Sequence, residues 1–195
     1  MKNLYKIALF LSLTLYTPVP EIYSQDLLYK GFKVGINLAN ISGEEVGDTQ
    51  TNTGPVLGAY VVLRITDRFS FQPEVLYSEK GWELFDGVVK VNISYLDIPL
   101  LARLTLLSNS KTSLDFYLGP TFSVKLKGTM ETSGVETGFV VKKTDFGFTF
   151  GAAFRYDPVI FEARFTQGLS SIDASAAGLD FKNRVITFLV GLSID

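Results

Sequence analysis

The sequence predicts an all-β fold, an eight-stranded antiparallel up-and-down transmembrane β-barrel, and three observations predict it. Apolar residues recur at every second position in eight successive segments, as they do in strands with two unlike faces. The connections between those segments run long, short, long, short, long, short, long. The long ones span 42–53, 79–88, 128–138 and 170–183, and the short ones 66–68, 108–111 and 157–158. A barrel in an outer membrane needs tight turns on one side and permits loops on the other. Finally, the chain is hydrophobic, with 47% apolar residues and a mean hydropathy of +0.24, but charged residues are only 19%. Its best apolar stretch after the N-terminus, 96–107, is too short for a membrane helix and carries Asp97 and Arg103. Alternation lets a hydrophobic chain satisfy every backbone group in lipid without an open edge.

The segments follow in order. Residues 31–41 set Phe32, Val34, Ile36 and Leu38 against Lys33, Gly35 and Asn37. Residues 54–65 are apolar on both faces as far as Arg64, which leaves their orientation open. Residues 69–78 oppose Phe69, Phe71, Val75 and Tyr77 to Ser70, Gln72 and Glu74. In 89–107 the C-terminal half places Leu96, Ile98, Leu100, Leu104 and Leu106 opposite Asp97, Arg103 and Thr105. The upstream half has the other parity, and a bulge near Tyr95 and Leu96 would exchange the faces. Residues 113–127 oppose Leu114, Phe116, Leu118, Phe122 and Val124 to Asp115, Tyr117, Thr121 and Ser123. Residues 140–156 align Phe146, Phe148, Phe150 and Phe154; 159–169 oppose Phe161 and Phe165 to Glu162 and Arg164; 184–194 align Ile186, Phe188, Val190, Leu192 and Ile194.

The polar faces decide which side points inward. They consist mainly of Gly, Ser, Thr and Asn with one or two charges each, not of the Lys and Glu of a solvated surface. The charges are of both signs: Lys33, Arg64, Glu74, Asp97, Arg103, Asp115, Lys125, Arg155, Glu162 and Arg164. A packed barrel interior needs such pairing, so the apolar faces are expected to meet lipid. The alternative, a soluble periplasmic lipocalin-like barrel holding a hydrophobic ligand, would reverse the faces. Eight strands enclose side chains and no wide pore. Termini and short turns are expected in the periplasm and four long loops outside. Tyr77, Trp82, Phe85, Phe139 and Tyr156 at strand ends suit the interfacial aromatic girdles.

The first 24 residues read as an export signal, leaving 25–195 as one outer-membrane barrel domain. Lys2 and Lys6 precede a nearly continuous apolar run, 7–15, then Pro18 and Pro20, and Ser24 stands before Gln25 as a cleavage point. With zero Cys there is no disulfide and no lipidated cysteine, and zero His removes the usual general base and the commonest metal ligand. A formal net charge of −2 is no footprint for nucleic acid. No catalytic, cofactor-binding or metal-binding residue is assigned, and the chain is read as no enzyme. Glu162 with Arg164, and Asp97 with Arg103, share strand faces, but paired charges inside a closed barrel are far more often structural. Glu44, Glu45 and Asp48 in the first long loop lack calcium-loop spacing and read as a solvated acidic loop.

Five motifs carry a resemblance: GFKVGIN at 31–37, PEVLYSEKG at 73–81, YLDIPLL at 95–101, GP at 119–120 and DFG at 145–147. Together they resemble the PorT-type outer-membrane β-barrel proteins of Bacteroidetes-like bacteria, across nearly all of the chain after the leader. The resemblance implies an eight-stranded outer-membrane barrel of a Gram-negative cell. Its namesake takes part in protein secretion, and no catalytic residue is carried over. The expected protein is therefore a monomeric structural or interaction barrel. Its partners are the bilayer and, through the loops, envelope or secretion-complex proteins.

Overall fold

Alternation becomes geometry directly: odd and even residues of each strand take opposite sides of one curved sheet. A computed structural model of the chain describes residues 27–42, 50–84, 88–132, 134–138, 142–171 and 182–194. The expected leader, the acidic trio Glu44, Glu45 and Asp48, and Phe85 and Phe139 lie outside them. The strands are β1 (Leu27–Ser42), β2 (Gln50–Arg64), β3 (Phe69–Leu84), β4 (Val89–Ser108), β5 (Thr112–Thr132), β6 (Val135–Gly138), β7 (Thr144–Tyr156), β8 (Val159–Gly168) and β9 (Lys182–Ile194). All pairings are antiparallel, in the order β4-β3-β2-β1-β9-β8-β7-β5, and β4 also pairs with β5. That last pairing closes an eight-stranded up-and-down barrel. The short β6 is a ninth strand not expected from the sequence. It is a spur on β5, paired over Thr129–Thr132.

The faces fall as the composition requires. Phe32, Val34, Ile36, Phe116, Leu118, Phe150, Phe154, Phe188 and Leu192 are exposed on the outside. Lys33, Gln72, Glu74, Asp97, Arg103, Asp115, Glu162 and Arg164 are buried inside. An apolar belt that encircles a barrel is a lipid-facing surface, and the reversed, water-soluble arrangement is not observed. The face of β2 left open by its sequence resolves with Val56, Tyr60 and Val62 inward and Leu57 outward. The eight-stranded cylinder is narrow, so adjacent backbones approach closely at inward glycines. A Cβ on Gly35 would stand 1.9 Å from the carbonyl oxygen of Phe188 on β9.

The three short connections are as expected, but the long ones differ. Strands continue through much of 79–88 and 128–138. β3 runs on to Leu84, and β5 turns back at Gly134, whose φ of 82° suits a residue without a Cβ, into β6. Asymmetry between the two ends therefore comes from strand overshoot as much as from loops. β8 has 10 residues, about one tilted crossing, whereas β4 and β5 have 20 and 21.

The parity change in 89–107 also has a different origin. β4 keeps one register against β3, from Val89 opposite Leu84 to Leu104 opposite Phe69. Its odd-numbered residues Val91, Ile93, Tyr95, Asp97, Leu101 and Arg103 are buried inside throughout. The surroundings change sides, not the chain. Towards the turn end the outward residues are Leu96, Ile98, Leu100 and Leu104; towards the loop end they are Ser94, Asn92 and Lys90. A strand that leaves lipid for water must make that exchange. A bulge does lie at this level, but on the neighbour. Ser94 pairs with Lys127 and Tyr95 with Lys125, so Leu126 of β5 is the extra residue.

Candidate functional site

The centre of the barrel is filled by charge. Lys33 on β1 places Nζ 3.0 Å from Glu74 Oε1 and 2.7 Å from Glu162 Oε1. Arg164 on β8 clamps Glu74 with two bonds of 2.7 Å and also bonds Glu162, its Nε donating at 3.0 Å. Tyr117 donates to Glu162 at 3.3 Å, and Gln72 donates to Glu74 at 2.6 Å. Gln72 also accepts a 2.5 Å bond from Arg103, which reaches Asp115 at 2.6 Å; Thr105 and Ser113 donate to that carboxylate too. The result is one continuous network on five strands, β1, β3, β4, β5 and β8. Three cations, Lys33, Arg103 and Arg164, balance three anions, Glu74, Glu162 and Asp115. With each carboxylate engaged by several donors, the burial penalty of each charge is offset by charge-assisted bonds.

The pairs singled out in the sequence fare differently. Glu162 and Arg164 do meet. Asp97 and Arg103 share a face without touching, because Asp97 binds Lys80 at 2.9 Å and Arg103 binds Asp115. Lys80, Gln72 and Tyr117 are the members that the pairing argument missed. Lys80 follows Gln72, Glu74 and Ser78 at even spacing, and extending the alternation past Ser78 would have found it. Of the charges expected inside, Arg64 is exposed at the turn end. Arg155 stacks on the Tyr29 ring there, its guanidinium 4.9 Å from the centroid, and Lys125 is half-buried near the loop end.

Above the charges lies a layer of neutral polar groups. Asn37 bonds Ser78 and Thr187, each at 2.8 Å, and Thr149 shares 2.7 Å bonds with Thr121 and Thr166. The cavity between this layer and Arg164 measures about 20 Å³, room for a water molecule and not for a channel. At the turn end a polar vestibule of about 280 Å³ opens beside Arg64, Tyr29, Arg103 and Arg155.

At the loop end, β3, β4, β5 and β6 continue past the apolar belt as a four-stranded platform. Its inner face carries Trp82, Val91, Ile93 and Tyr95, which form an apolar cluster with Ile41 of β1, and Leu84 and Met130 pack against it. Trp82, expected in an aromatic girdle, is instead 5% exposed within this cluster. Tyr77 does face outward at the boundary and donates to Ser94 at 3.0 Å, and Tyr156 is exposed at the turn end. The platform's outer face is polar, with ion pairs Glu83–Lys90 and Lys127–Glu136, both at 3.2 Å.

Comparison with known proteins agrees with this geometry. A family model described as outer membrane protein beta-barrel domain matches residues 23–174. Among solved structures, Neisserial surface protein A gives a TM-score of 0.52 at 12% identity, over 85% of this chain and 97% of that chain. The attachment invasion locus protein of Yersinia pestis, Ail, gives 0.48 at 12% identity, over 85% and 98%. Its complex with the heparin analogue sucrose octasulfate gives 0.49 at 13%, over the same shares. At 12% identity the likeness to the Neisserial protein is one of fold. No match is found among curated proteins.

Proposed function

The chain belongs to the outer membrane protein beta-barrel domain family, and on that premise we propose that it is a plugged, monomeric interaction barrel presenting its loop end outside the cell. The observation that carries the reading is the exchange of faces at Ser94–Leu96. β3, β4 and β5 are built to leave the lipid with their apolar cluster inward and a polar surface outward. A strand extension with its own core is a stiff support for a binding surface. No catalytic step is assigned, since Glu74, Glu162, Asp97 and Asp115 are held by Lys33, Arg103, Arg164 and Lys80.

Kinship with the PorT-type proteins is the finer form of the proposal, resting on the five sequence motifs. With it comes an accessory part in secretion or envelope assembly, for which the platform is the docking surface. Unimpaired secretion in a deletion strain counts against that part.

The chain's lack of cysteine makes sidedness directly measurable. Val135→Cys places a thiol on the exposed spur, and Asp67→Cys one on a turn at the other end. A membrane-impermeant maleimide applied to intact cells should label the first and spare the second until the outer membrane is permeabilised. Labelling of the second alone reverses the orientation and rejects the proposal. A photo-crosslinker on the Val135→Cys thiol should then capture envelope partners that one on Asp67→Cys does not.

A further inference from the structure

At the turn end, inward-facing arginines outnumber the carboxylates that could match them. Arg64 of β2, Arg103 of β4 and Arg155 of β7 all line the vestibule of about 280 Å³. Arg103 is matched, because Asp115 accepts from it at 2.6 Å. That carboxylate is then filled by Thr105 and Ser113. Arg64, exposed at the mouth, has no ion pair among the described residues. Arg155 reaches only Asp157, outside the lining, at 3.5 Å, which is long for a charge-assisted bond. Its Nε is buried and has no hydrogen-bond partner, a costly state for a charged donor. The remaining charged residue of the lining, Asp67, is exposed on the turn after β2. Three cations against two carboxylates leave the lining one positive charge in excess.

A second observation concerns how these groups are held. The Tyr29 ring carries two guanidiniums, Arg155 at 4.9 Å and Arg103 at 5.6 Å from its centroid. Stacking on a ring fixes the plane of a guanidinium and leaves its N–H edge available to an acceptor. Ser70 and Ser108 add hydroxyls to the same lining. The barrel wall separates this space from lipid, so a ligand enters from the water at the turn end.

We infer that the vestibule binds an oxyanion of the phosphate class from the aqueous side, with Arg155 and Arg64 as its cationic donors and the Arg103–Asp115 pair as its floor. Arginine suits this task because its planar fork of donors meets two oxygens at once. A tetrahedral anion has oxygens for two guanidiniums and the neighbouring hydroxyls together, whereas a carboxylate has fewer to offer. The inference rests neither on the role of the platform nor on the orientation of the barrel.

The full chain refolded in a maltoside detergent, which carries no phosphorus, tests it by titration with inorganic phosphate at constant ionic strength. Saturable broadening of the phosphorus-31 resonance is expected for the parent. Affinity should fall at least fivefold in Arg155→Gln and in Arg64→Gln. Both residues stand outside the central network and reach solvent, the Arg155 side chain at 18% exposure, so both variants should fold. Faster gel migration of unheated samples checks that they do. Arg68→Gln removes the same charge from the same end but from outside the lining, and should bind like the parent. Equal losses in all three variants would assign the effect to the general field of that end and overturn the site. Absence of broadening in the parent at millimolar phosphate overturns it too. Malonate that displaces phosphate at equal concentration would reassign the site to carboxylates. Displacement by phosphatidic acid added to the micelles would move the ligand to the lipid and reject the aqueous source. Thermal unfolding is a second readout: phosphate should raise the midpoint of the parent by several degrees and that of Arg155→Gln by less. Identical shifts in both, or none in either, reject the site.

Discussion

At the scale of single residues, the interior is ruled by the cost of burying charge. Glu74 is the hub, since it takes Lys33, Arg164 and Gln72 at once. Glu74→Gln leaves two cations against Glu162 alone. Removing one partner of a buried pair costs about 3–5 kcal/mol, so urea unfolding in detergent should show a loss of that order. Adding Lys33→Met to it restores neutrality, and the double variant should be less destabilised than the sum of the singles. Additive losses would show that the network does not couple these residues. Gly35 is sensitive for a different reason. Its missing Cβ leaves room for the Phe188 carbonyl, so Gly35→Ala must part β1 from β9 and should lower stability by more than the few tenths typical of a surface change. An unchanged unfolding midpoint would deny the close approach.

Strands carry the next level of meaning, because each reads out the solvent along its length. On β5 the outward Phe116, Leu118, Phe122 and Val124 belong to the apolar belt, whereas Thr129 lies beyond the bulge at Leu126. Arginine on a lipid face costs about 2–4 kcal/mol at the midplane and about 0–1 near the interface. Phe122→Arg should therefore cost several-fold more than Thr129→Arg in refolding titrations into lipid. Equal penalties would move the membrane boundary away from Ser94–Leu96. The inner cluster responds oppositely: Ile93→Asn buries an unpaired amide and should cost about 2–4 kcal/mol, while Ser94→Leu loses only the bond from the Tyr77 hydroxyl and should cost about 1 kcal/mol. This is also where the sequence is legible and where it misleads. Period 2 names all eight crossing strands and which face of seven of them meets lipid, because lipid and a packed interior select opposite residues. It does not by itself tell a slipped register from a changed solvent. Both invert the apolar face, and β4 inverts it without slipping. The same ambiguity hides Lys80 and Trp82, which sit in a strand extension that composition presents as a loop.

For the whole molecule, closure and filling are linked. A ring of eight strands removes every edge but the short β6 spur among the described residues, and a four-residue edge offers little to an adding strand. The same small ring leaves an interior that side chains fill. Here the charge network and the hydroxyl layer leave a central cavity of about 20 Å³. Ions would have to cross Lys33, Glu74, Glu162 and Arg164 in turn, each held by charge-assisted bonds. Planar-bilayer recording should accordingly show no large, stable conductance for the parent chain. Replacing all four network residues with alanine removes both the charges and the volume that seal the centre, with the net charge unchanged. If that variant folds, as faster gel migration of the unheated sample would report, small conductance steps should appear. Large steps from the parent would mean that the network opens in a bilayer, and function would then have to be sought inside the barrel and not on its platform.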